Sequence, residues 1–208
     1  MNQFINLITT KIPRPVEYHD FSDKNLFLGI SNGKNIVSNL CIGAPALYLI
    51  FKQKKISLLS IHILLLAITS AYYHIEPNHN TIFLDMIFLV GVNTIILSLF
   101  LTKEIGIFIY ILGIVSVIYW KKYDDIRFYE MFKIGIPIYV TIILYQTKAS
   151  NYIIPLLSLA ILVRYSEFND KEIYVATNQV ISGHTLKHIL GGIELYVAIL
   201  VLQKLNKV

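Results

Sequence analysis

Four ionisable side chains, His74, Asp85, His184 and His188, stand in segments that otherwise belong in lipid. His184 and His188 are four residues apart, so on a helix both imidazoles project from one face. That spacing suits two ligands of one metal ion, and equally a packing or interfacial pair of histidines. A third histidine, His74, closes an apolar run, with Ser70 four residues before it on the same helical face. Three neutral imidazoles that leave a fourth position open are the coordination pattern of a catalytic zinc. Such an ion lowers the pKa of a bound water to about 7 and makes hydroxide available at neutral pH. Asp85 then has a role. An isolated carboxylate is costly in a membrane span and should face a polar partner or a wet cavity. Beside an activated water it can take a proton and hand it to a leaving amine. The competing readings are an interfacial carboxylate for Asp85, near a helix end, and a small packing residue for Ser70.

The other polar groups in apolar runs have quieter readings. His62 lies twelve residues before His74 on a different face and reads as a hydrogen-bonded packing histidine. His79, in the loop after His74, reads as solvated. Lys187 can snorkel to the headgroups on its long stem. Glu194 lies deeper and on another face than His184, either paired across a bundle or neutral. Asn35, Ser38 and Asn39, spaced i, i+3, i+4, put a polar stripe toward the interior for interhelical hydrogen bonding.

The elements that must position these groups follow from composition and hydropathy. The 208 residues are 55% hydrophobic and 15% charged, with a mean hydropathy of +0.61. A soluble domain rarely has so few charges, because it could not cover its own surface. The expectation is therefore an all-α, polytopic integral membrane protein. Runs long enough to approach the roughly 20 residues of a spanning helix are Asn35–Phe51, Ile56–Ile75, Thr81–Leu101, Ile105–Trp120, Met131–Tyr145, Asn151–Tyr165 and Asn178–Leu202. That gives a seven-transmembrane-helix bundle over residues 35–204, preceded by a polar arm over residues 1–34 with an interfacial amphipathic turn around Phe4, Ile5, Leu7 and Ile8. If the N-terminus defines side A, the second span ends there and the third and seventh begin there. His74, Asp85, His184 and His188 then share one depth in one leaflet, which predicts an intramembrane metal site.

Several classes are excluded. The net charge of +5 reads as a headgroup and topology signal, because no basic block interleaved with aromatics supports nucleic-acid binding. The one cysteine, Cys41, excludes an intramolecular disulfide. "MNQFINLITTKIPRP" has no apolar core for a cleavable signal.

The set "TSAYYH" with Ser70 and His74, "LD" with Asp85 eleven residues on, and "SGHTLKH" with His184 and His188 resembles the CREST superfamily of membrane hydrolases. Within it the likeness is to the alkaline ceramidase family and its bacterial relatives. "GISNGKNIVSNL", before and into the first span, also resembles that family's first-helix segment. The resemblance runs from about His19 to His188. It implies a zinc ion on His74, His184 and His188, Asp85 near the metal-bound water, and Ser70 as a hydrogen-bonding aid to the oxyanion. It implies a ceramide-like lipid amide as substrate, drawn from the bilayer and cleaved to a sphingoid base and a fatty acid. It also implies a bacterial inner membrane, with the N-terminus outside and the C-terminus cytoplasmic. Eukaryotic relatives carry a calcium site of acidic residues in the arm and first helix. The matching positions here are Asp20, Asp23 and Asn32, the last where a glutamate would be expected.

Two enzyme alternatives are poor. A lipid phosphatase shares "SGH" but needs a Lys–Arg phosphate clamp and a later His–Asp pair, absent at fitting spacing. A metalloprotease needs an HExxH helix, also absent. The reading from another class is a receptor-like or pore-like seven-helix protein with a structural zinc.

Overall fold

The computed structural model describes residues 10–27 and 29–208. The turn expected around Phe4 to Ile8 lies outside the described residues. Eight helices follow in order: α1 Gly33–Gln53, α2 Leu58–Ile75, α3 Thr81–Ser98, α4 Lys103–Tyr123, α5 Arg127–Tyr145, α6 Ile153–Phe168, the short α7 Asp170–Ala176, and α8 Gly183–Lys204. Apart from an isolated bridge between Phe27 and Ile30, the described regular structure is helical throughout. The first helix begins two residues before the expected boundary at Asn35, and the seven long helices fall on the seven apolar runs.

Local chemistry sets the ends. Lys54 takes a left-handed conformation (φ 52°) that stops α1 after its basic tail. Ser57 and Ser60 cap α2 reciprocally, each side chain bonding the other residue's backbone N–H. The Ser182 hydroxyl accepts the Thr185 N–H at 3.1 Å and starts α8. Short connections make successive helices antiparallel neighbours. α1 packs against α2 and α8, α2 against α3, α3 against α4 and α5, and α6 against α8. α5 and α6 scarcely touch.

Among the described residues six helices are long and apolar enough to cross a bilayer, as fits a multi-pass integral membrane protein. α6 is the exception. Its 16 residues span about 24 Å at 1.5 Å per residue, short of a hydrocarbon core of about 30 Å. Large apolar side chains such as Leu40, Phe108, Ile111 and Ile161 point outward, as lipid contact requires. Apolar clusters fill the interior, two of them large. Ala46, Leu49, Ile63, Leu66, Ile95 and Leu202 join α1, α2, α3 and α8. Phe21, Tyr73, Ile82, Met86 and Trp120 bring the arm onto α2, α3 and α4.

Close approach of α1 and α8 depends on a missing side chain. A Cβ at Gly192 would lie 2.2 Å from the Cys41 carbonyl oxygen, whereas one at Gly191 would meet nothing within 4 Å. Overpacking costs about 1–3 kcal/mol, so Gly192→Ala should lower the unfolding midpoint in detergent and Gly191→Ala should not. Equal midpoints would show that α1 and α8 do not pack this closely.

The arm is not a free polar extension where it is described. Arg14, Phe21 and Asp23 are buried. It is clipped to the α4–α5 turn: Ile126 N–H donates to the Ile12 carbonyl at 2.9 Å, and Ile12 N–H donates to Asp125 at 3.4 Å. The Arg127 guanidinium pairs with Asp125 and holds its carboxyl down at about 2. The acceptor therefore stays charged at ordinary pH.

Candidate metal centre

The helix ends converge as the connectivity requires. His74 closes α2, and His184 and His188 occupy the first two turns of α8. All three imidazoles are buried, His74 completely. Their ring centroids are 4.8 to 4.9 Å apart in every pairing. One nitrogen from each lies within 4.8 Å of the other two, so the three residues could hold one metal ion. Among the described residues, no fourth His, Cys, Asp or Glu joins this group.

The surroundings of His188 fix its tautomer. Its Nδ1 lies 2.8 Å from Ser38 Oγ and 3.2 Å from the Asn35 carbonyl oxygen. The Ser38 hydroxyl donates to that same carbonyl at 2.8 Å, which leaves its oxygen as an acceptor. Nδ1 must therefore carry the proton, and Nε2 presents a lone pair. That Nε2 is 3.3 Å from Nε2 of His74, whose Nδ1 is buried with no hydrogen-bond partner. Two imidazole nitrogens that face each other with lone pairs need a proton or a cation between them, and a divalent cation among the three rings would take one lone pair from each. The donor set fits such an ion. A hydrogen bond behind a metal-ligating imidazole typically carries 10–100-fold in metal affinity. If the three histidines hold a divalent ion, Ser38→Ala should weaken its binding by roughly that factor in a chelator competition; unchanged affinity would remove Ser38 from the site.

Asn35 holds the neighbouring backbone in place. Its Oδ1 accepts from Thr185 Oγ1 at 2.6 Å and Ser182 Oγ at 3.3 Å, so the α1 stripe ties directly to the start of α8. Asp170 adds a second tie. One of its oxygens accepts the His184 N–H at 2.6 Å and the other the Ser22 N–H at 2.9 Å. A Cβ on Gly183 would meet the Ser166 carbonyl at 2.2 Å, which explains glycine at the first position of α8. Phe21, only 4% exposed, lays its ring 4.5 Å from His74 and 4.6 Å from His184, centre to centre, and so covers the histidines from the arm. Neither Phe21 nor Asp170 carries a signal in the sequence. Phe21 reaches His74 across more than fifty residues, and Asp170 reaches His184 from a different helix.

Ser70 is buried one turn before His74 and interacts with the Asp85 carboxylate on α3. Asp85 stands outside the three-nitrogen group but shares with His188 the wall of a cavity of about 650 Å³. Apolar Ile136, Val140, Leu144, Leu156 and Leu195 line the same cavity. Exposed Ile134, Ile138, Leu157 and Ile161 line the same cavity between α5 and α6.

The remaining residues separate cleanly. His62 bonds the Leu58 carbonyl and the Tyr110 hydroxyl, each at 3.0 Å, as expected of a packing histidine. His79 differs from expectation. It is half-buried with Nδ1 2.6 Å from His19 Nε2, and His19 also bonds the Tyr73 hydroxyl at 2.8 Å. Lys187 does not run to the headgroups; it pairs with Glu167 at 2.9 Å. Glu194 lines the cavity and has no ion-pair partner among the described residues. Of the calcium candidates, Asp20 is exposed and paired with Lys24 at 2.7 Å. Asp23 is fully buried, accepts from Tyr174 at 3.3 Å and faces Lys34 at 3.7 Å. The Asn32 side chain donates to the His74 carbonyl at 3.3 Å.

No family model, no curated protein and no solved structure matches this chain. The functional reading therefore rests on the residues and their geometry.

Proposed function

We propose that the chain is an intramembrane, zinc-dependent hydrolase of a lipid amide, a relative of the alkaline ceramidases built on seven spans with α6 as the short sixth. The observation that carries this reading is three buried imidazoles with no fourth His, Cys, Asp or Glu ligand among the described residues, beside a cavity that also holds a carboxylate. A divalent ion held by His74, His184 and His188 would polarise an amide carbonyl and activate water. The chain's own residues account for the rest. Ser38 and Asn35 hold His188 in its metal-binding tautomer. Phe21 keeps bulk water off the histidines. The Asp85 carboxylate takes a proton at one oxygen and returns it to the leaving amine nitrogen. Ser70 donates to that carboxylate and, once Asp85 has taken its proton, turns its hydroxyl to the substrate oxygen. The loosely packed seam between α5 and α6 gives an acyl chain a sideways path from the bilayer into the cavity. The N-terminal face, which holds the site, is placed outside.

The second reading is a receptor-like bundle with a structural metal, and the buried triad favours it equally until turnover is measured. Fatty-acid release from a panel of long-chain amides, ceramide included, separates the two when bound zinc is measured in the same preparation. Hydrolysis that disappears on chelation and returns with zinc supports the enzyme. A zinc-loaded protein that hydrolyses no member of the panel is the structural reading.

A further inference from the structure

Part of the cavity wall gathers four cationic side chains around two carboxylates. Arg14, Lys133, Arg164 and Lys187 line it. Two carboxylates serve all four. Glu167 takes Arg164 at 2.7 Å, Lys187 at 2.9 Å and Lys133 at 3.8 Å, and accepts from Tyr18 at 2.8 Å. Glu130 takes Lys133 and Arg164 at 3.4 Å and Arg14 at 3.9 Å. The wall's other carboxyl groups, Asp85 and Glu194, form no ion pair with these cations among the described residues.

Arg14 is the informative member. It is 5% exposed, its Nε has no hydrogen-bond partner, and its nearest carboxylate is beyond hydrogen-bonding range. The ring of Tyr18, 4.0 Å away, supports it from one side. A buried guanidinium N–H with no acceptor among the described residues is costly. Guanidinium and ammonium groups together recognise carboxylate and phosphate oxygens.

We propose that this part of the cavity receives an anionic headgroup, a carboxylate or phosphate carried near the amide of the lipid, with Arg14, Lys133 and Lys187 as its donors. A hydroxyl headgroup could accept a hydrogen bond from Arg14 but would bring no charge to balance the guanidinium. As a statement about substrate this rests on the hydrolase reading; as a statement about binding it does not.

The test uses the full chain in detergent and two arms. Calorimetric titration with dodecyl phosphate should give saturable binding that dodecanol does not, and Arg14→Gln or Lys133→Gln should each weaken it about tenfold or more, the range for a charge-assisted hydrogen bond. Arg14→Lys, which keeps the charge, should retain the selectivity, and Lys103→Gln, outside the cavity, should bind like the wild type. In the second arm, N-dodecanoylglycine should be hydrolysed about tenfold or more faster in kcat/KM than N-dodecanoylethanolamine, with the preference reduced in the Gln variants. Equal binding of phosphate and alcohol, or wild-type affinity in both Gln variants, overturns the proposal. Selective phosphate binding without cleavage of any amide leaves the cationic site standing and removes the hydrolase. Cleavage of neutral amides without phosphate binding does the reverse.

Discussion

Replacing His188 by alanine should abolish zinc binding and amide hydrolysis together, while His62→Ala leaves both near wild type. The two histidines are similarly buried, so burial does not distinguish them. Their partners do. Both nitrogens of His62 are engaged by protein oxygens, whereas His188 has Nδ1 engaged and Nε2 turned toward His74. Loss of a hydrogen bond behind a ligand costs about 10–100-fold in affinity, and loss of the ligand should cost more. Elemental analysis of the two purified variants checks this. Equal zinc in both would refute the ligand assignment, and metal loss in His62→Ala would move the site elsewhere.

Asp85→Asn should keep fold and zinc but lower turnover by about 10²–10⁴-fold, the usual contribution of a general acid–base group. The amide matches the carboxylate in shape and lacks a basic oxygen, so the loss belongs in kcat rather than in substrate affinity. The geometry favours the experiment, because Asp85 is not one of the three clustered ligands and its change need not disturb the ion. Activity that survives intact in the Asn variant makes Asp85 an interfacial carboxylate that happens to line the cavity.

The convergence of His74, His184 and His188 was legible in the sequence because hydropathy and parity suffice for it. Counting spans puts the end of α2 and the start of α8 on one side, and helical spacing puts His184 and His188 on one face. The polar stripe was legible as interhelical bonding for Asn35 and Ser38, which bond Thr185 and His188 on α8, whereas Asn39 bonds the Asn35 and Ile36 carbonyls of its own helix. What the pattern could not carry are contacts set by tertiary placement alone. Phe21 comes from an arm with no periodicity, so nothing marks it as the cover of the histidines. Lys187 reads as a snorkelling lysine because its partner Glu167 belongs to another helix. His79 reads as solvated because the arm that brings His19 to it has no signal of its own. Length sets the other limit. Hydropathy marks the run around α6, but 16 residues do not by themselves establish a crossing.

The central claim is a metal held by three imidazoles with its fourth position free for chemistry. Zinc K-edge X-ray absorption on the detergent-purified protein tests it most directly. The expected spectrum has three histidine nitrogens at about 2.0–2.1 Å and one further light, non-histidine ligand. His184→Ala should change that shell or remove the ion. A spectrum with sulfur or a fourth imidazole in the shell, or a protein that takes up no zinc when it is supplied in excess, would contradict the account.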